Sequence, residues 1–141
     1  MTREVMINIQ GVGQIDPAEE TKMSAVAQYY QKNGSHYVIY DETDKENGAN
    51  CKNIIKFREN YLEVTRKGDY NVHMLFEKNK KNISNYGTPF GTLIIGINTK
   101  QMEIREEAEQ IAIQADYELD INDEHVAGCR INIDINNRKT G

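Results

Sequence analysis

Arg66 and Glu42 are the residues of this 141-residue chain whose types and placement best suit chemistry at a single point. Each ends a run in which apolar and polar residues alternate, Val38, Tyr40, Glu42 in one and Leu62, Val64, Arg66 in the other. A strand's period of two then puts each charge on the face that its apolar neighbours bury. As the third and fifth strands of an up-and-down meander, the two runs end at the same side, where the charges meet. A guanidinium on an inner face needs a partner, and two readings stand. In one, Glu42 closes it off as a structural ion pair, with Tyr40 hydrogen-bonded nearby. In the other, Arg66 anchors the carboxylate or phosphate of a ligand whose apolar part enters the fold, since its planar fork binds an oxyanion through two parallel hydrogen bonds. Tyr29 follows Ala25 and Ala27 on an inward face, and Phe90 lies in the Pro-x-Gly unit TPFG beside a strand. The candidate ligand set is therefore Tyr29, Tyr40, Glu42, Arg66 and Phe90.

Other chemistries find little to work with. His73 alternates to the outside and His36 and His125 lie near turns, so all three read as rim or solvent histidines. None forms a triad with a carboxylate or thiol at usable spacing. Cys51 and Cys129 have no second Cys or His at metal-ligand spacing. They read as buried free thiols, the alternative being a disulfide that a reducing compartment disfavours. The GVG at 11–13 reads as a turn, too short for a phosphate loop. No metal or cofactor is expected, and no enzyme activity.

The elements that position these side chains are strands. Val5, Ile7 and Ile9 share one face, as do Met23, Ala25, Ala27 and Tyr29, and later Val72, Met74 and Phe76, then Leu93, Ile95 and Ile97. The pattern is cleanest from Ile111 to Ile121 and from Cys129 to Ile135. Tight-turn chemistry separates the runs: Asn33-Gly34 above all, then Glu59-Asn60, Lys67-Gly68-Asp69, Asn79-Lys80, Thr99-Lys100 and Asn122-Asp123. Residues 103–112 are rich in helix formers, but the alternation from Ile111 onward makes Glu106-Glu107 a turn between strands. An antiparallel meander closes on itself only with an even number of strands. Reading residues 82–98 as one long strand kinked at TPFG, where Pro89 lacks an N–H and Gly91 permits unusual backbone, yields ten. The expectation is one all-β domain over 1–141, a ten-stranded up-and-down barrel whose first and last strands pair.

Charge bounds the partners. The net charge of −5 is spread unevenly, as −4 over residues 1–50, +4 over 51–82 and −5 over 83–141. Opposite charges on neighbouring strands stabilise a sheet, which accounts for a basic middle between acidic ends. The acidic balance, with tyrosines on strand-like runs rather than along a basic stripe, argues against nucleic acid. The N-terminal segment MTREVMINIQ lacks the basic head and apolar run of an export signal, and no apolar stretch is long enough to cross a bilayer as a helix. A cytoplasmic protein without membrane contact, monomer or homodimer, is expected.

The segments YYQKNGSHYVIYDE (29–42), RKG (66–68), MLFEKNKK (74–81) and YGTPFGTLIIGINTK (86–100), in this order, resemble the YwiB-like family of uncharacterised bacterial proteins. The likeness runs from about residue 4 to residue 135. It implies a calycin or lipocalin-type β-barrel related in shape to small-molecule carriers, and no assigned activity. Two functions from different classes follow. One is a noncatalytic barrel that binds a small apolar or amphipathic ligand in its interior. The other is a fully packed barrel that docks a protein partner, a second copy included.

Overall fold

Ten strands carry the chain in the computed structural model: β1 Glu4–Gly13, β2 Glu20–Lys32, β3 Ser35–Thr43, β4 Asn50–Arg58, β5 Tyr61–Lys67, β6 Val72–Glu77, β7 Lys81–Thr88, β8 Gly91–Glu106, β9 Gln110–Ile121 and β10 Glu124–Asn137. The structure describes residues 3–13, 20–43, 50–68, 71–88 and 91–138. Every pairing is antiparallel, and the strands form one sheet in the order β6-β5-β4-β3-β2-β1-β10-β9-β8-β7. The first and last strands pair from Val5 with Asn137 to Gly13 with Cys129, as the meander requires. The two ends of the ladder, β6 and β7, are joined by a tight turn at Asn79 (φ 64°). That turn is clasped onto β8, where the Thr99 N–H donates to the Lys80 carbonyl and the Asn79 N–H donates to the Thr99 carbonyl. The barrel is nearly closed, with its seam between β6 and β7.

Residues with positive φ mark the hairpins. Asn33 and Gly34 (53° and 78°) and Asn122 and Asp123 (51° and 66°) take the left-handed pairs of a type I′ turn, and Asn60 (58°) turns β4 into β5. A turn at 107–109 joins β8 to β9, tied by the Glu107 N–H to the Gln110 carbonyl. Three sequence expectations are corrected. The GVG segment is the end of β1, with Gly11 paired to Ile131 and Thr21. Residues 82–98 are not one kinked strand: β7 and β8 pair back on each other from Lys81 with Asn98 to Thr88 with Gly91. TPFG therefore joins a hairpin, although Pro89 and Phe90 themselves lie outside the described residues. Finally, Thr99-Lys100 is no turn. Thr99 opposes Tyr117 and Gln101 opposes Asp116, so Lys100 is the extra residue of a β-bulge within β8. One inserted residue reverses the facing pattern, so Ile95, Ile97 and Thr99 point inward before the bulge and Met102 and Ile104 after it. The parity survives because one turn was gained and another lost.

Bulky side chains fill the interior. Ile55, Phe57, Leu62, Phe76, Ile97 and Ile133 are each no more than 1% exposed, and the Phe76 ring meets Tyr117 edge-on at 4.9 Å. Truncating Phe57 or Phe76 to Ala costs on the order of 3–5 kcal/mol.

Gly91 sits at φ +126° with nothing within 4 Å of where a Cβ would project, so a side chain there meets backbone strain rather than crowding. We expect Gly91→Val to cost about 1–3 kcal/mol in denaturant unfolding. An unchanged midpoint would show that the hairpin tolerates another backbone conformation.

Candidate functional site

The inner wall becomes polar near both ends of the barrel. At one end, β3, β4 and β5 bring Tyr40, Asn53 and Arg66 into a single cross-strand row, Tyr40 opposite Asn53 and Asn53 opposite Arg66. In the next row outward Glu42 stands opposite Cys51. Arg66 Nη2 lies 3.8 Å from Glu42 Oε2 and 3.6 Å from Cys51 Sγ. The thiol fits because Gly68 has no Cβ, which would otherwise stand 2.6 Å from Cys51 Sγ. Tyr40 is 5% exposed. Burial, reinforced by the Glu42 charge and opposed by Arg66, holds its hydroxyl well above the ordinary tyrosine range. Asn53 is 4% exposed, and its side-chain Nδ2 has no hydrogen-bond partner.

Alternation thus placed Tyr40, Glu42 and Arg66 together, and the structure keeps them so. The ion pair, however, is not the buried closure that the inward pattern suggested. The Arg66 and Glu42 side chains are 44% and 33% exposed, because both lie at strand ends where water reaches the inner face. Tyr29 is not part of this group. Its hydroxyl stands 2.6 Å from His36 Nδ1 at the opposite end of β3, and six residues of strand, roughly 20 Å, separate His36 from Glu42. Phe90 lies outside the described residues.

His36 is the residue that sequence reading misplaced. It is on the inner face, its ring stacked on Phe57 at 4.6 Å and 3°, its side chain 13% exposed and its Nε2 3.5 Å from Glu106 Oε2. Proximity to the Asn33-Gly34 turn suggested a solvent histidine. The alternation that includes Val38 and Tyr40 carried the correct signal. Burial, with the Glu106 charge adding to it and the Gln31 hydrogen bond opposing it, raises the Tyr29 hydroxyl. A cleft of about 320 Å³ opens here between the β4–β5 turn and β8, with Phe57, His36, Met102 and Ile104 in its lining. His73 and His125 are on the outer face as expected, against Glu63 and Glu118.

A larger groove, about 650 Å³, runs over the outer face beside the Lys100 bulge. Its Arg130 and Asp116 neutralise each other at 2.6 Å, and it is an open, polar trough. Among the described residues no three His, Cys, Asp or Glu side chains gather as a metal site. Nor, among the described residues, is any helix long and apolar enough to cross a membrane.

A family model described as a domain of unknown function, DUF1934, matches residues 7–133. The chain belongs to that family. The crystal structure of the ywiB protein from Bacillus subtilis is similar at a TM-score of 0.80 and 23% identity, over 99% of this chain and 96% of that one. It shares the barrel fold, in agreement with the resemblance read from the sequence. No curated protein matches the chain. For this DUF1934 chain, then, chemistry must be read from its own side chains.

A half-exposed pair 3.8 Å apart contributes little, of the order of 0–1 kcal/mol. Arg66→Met should therefore lower stability by less than about 1 kcal/mol, against the roughly 3–5 kcal/mol of a buried pair broken on one side; denaturant unfolding separates the two. The cysteines are both free, Cys51 buried and Cys129 partly exposed. Burial pushes the Cys129 thiol up, with the Tyr117 hydrogen bond opposing it and the Glu118 charge adding to it. Fewer thiolates then exist at neutral pH than for a free thiol, and native labelling of Cys129 should accelerate only at higher pH than that of the unfolded chain. Cys51 should label last, and faster labelling of Cys51 than of Cys129 would contradict the assigned burial.

Proposed function

We propose that the chain is a noncatalytic barrel that binds a small amphipathic anion at the Arg66 end. The observation that supports this most directly is Asn53. A buried amide donor without a partner costs free energy, on the order of 1–3 kcal/mol, unless something accepts its proton. It stands in the wall between the buried Tyr40 and the guanidinium of Arg66. A ligand carboxylate held by Arg66 would supply the missing acceptor once the covered amide turns toward the mouth. The filled interior argues for binding at the mouth rather than deep inside the barrel.

A second reading, an interaction module that pairs with another copy, draws on Ile83 and Ile94. They are 64% and 42% exposed on the outer face of β7 and β8. In either case the protein acts by binding rather than by turnover, and a cytoplasmic setting suits its free thiols.

The test is native mass spectrometry of freshly purified protein for a retained small molecule, followed by thermal unfolding with decanoate and with decanol. Decanoate should raise the melting temperature and decanol should not. In Asn53→Leu the ligand-free protein should be at least as stable as the parent, since the orphaned donor is gone, and the decanoate shift should vanish. No shift with decanoate, together with a concentration-dependent dimer in light scattering, would replace the first reading with the second.

A further inference from the structure

The cleft at the His36 end belongs to neither reading above, and its hydrogen bonds determine what it presents. Gln31 Nε2 donates to Tyr29 Oη at 2.9 Å, so that oxygen's own proton is directed elsewhere. His36 Nδ1 is the acceptor in reach, at 2.6 Å, and Gln31 Nε2 approaches the same nitrogen at 3.2 Å. With Nδ1 accepting, the ring proton of neutral His36 is on Nε2. That N–H faces Glu106 Oε2 at 3.5 Å, too long for a good direct hydrogen bond. A donor and an acceptor therefore stand side by side at the edge of the cleft, above the His36–Phe57 stack and Met102. The other charges in the lining are Glu59, Glu103 and Arg58. Arg58 is held over the Tyr61 ring at 3.8 Å, so a carboxylate excess discourages anions.

We propose that this cleft is a second binding site, for a small flat neutral molecule that carries a carbonyl and an N–H on one edge, as a lactam or primary amide does. The carbonyl accepts from His36 Nε2, the N–H donates to the Glu106 carboxylate, and the flat body rests on the apolar lining. A cleft of about 320 Å³ has room for a ring of that kind. Tyr29 and Gln31 act as positioning residues that hold the tautomer.

The probes are 2-pyridone and N-methyl-2-pyridone, titrated into the full chain with nitrogen-15-labelled histidine and methyl-labelled methionine, observed by NMR. The ligand-free spectrum should show the His36 proton on Nε2. 2-Pyridone should shift the His36 ring signals and the Met102 methyl. N-methylation, which removes the donor, should weaken binding about fivefold or more, the scale of one hydrogen bond. Glu106→Leu changes a half-exposed residue, so the fold should persist while 2-pyridone binding weakens similarly and the His36 tautomer stays. Equal binding of the two pyridones, undiminished binding to Glu106→Leu, a proton on Nδ1, or no response at His36 and Met102 would each overturn the proposal.

Discussion

A meander of antiparallel strands can bury one face without a second layer only by bringing its first strand beside its last. Here that contact is the β1–β10 ladder, which sets Ile7 opposite Ile135 and Ile9 opposite Ile133 on the core face. The rest follows from it. With the termini locked into the middle of the sheet, the ends of the ladder fall at β6 and β7, the shortest strand and its neighbour. The clasp of the Asn79 turn onto Thr99 holds that seam, and the bulge immediately after Thr99 lets β8 bend from the seam back over the core.

Closure also explains why the candidate chemistry lies near the ends. Ten strands enclose space, but aromatic and branched side chains occupy it, and fully buried rings leave little room for a guest along the axis. Toward the strand ends the inner positions pass to residues with polar tips: Tyr40, Asn53, Glu42 and Arg66 at one side, and Tyr29, Gln31, His36 and Glu106 at the other. The two groups differ in hydrogen bonding. Around His36 each hydrogen bond leads to the next residue, from Gln31 to Tyr29 and from Tyr29 to the imidazole. Around Arg66 the charge is shared loosely between a thiol and a distant carboxylate, and a neighbouring amide is left unsatisfied.

Much of this was legible in the chain. Period-two alternation identified the inward faces of most strands, Asn-Gly and Asn-Asp marked two hairpins, and the parity of a closed meander gave the strand number. Alternation also put Glu42 and Arg66 at one mouth. What it mishandled was the phase change between Thr99 and Met102. A turn and a bulge both interrupt alternation, and only the register against β9 tells them apart. Mistaking the bulge for a turn then forced TPFG into the role of a kink. His36 was lost similarly, because nearness to a turn was weighed above its place in the Val38–Tyr40 series.

The sequence by itself determined most of the strands and inward faces and the need for an even number, because these depend on residues close together along the chain. Only the tertiary structure decided that Tyr29 serves the opposite end from Arg66, that the Arg66–Glu42 pair is open to water, and that Asn53 lacks an acceptor. Each depends on which side chains from distant strands come within about 3 Å of one another and how far solvent reaches between them. Those quantities are fixed by the curvature and closure of the whole sheet, and no local pattern encodes them.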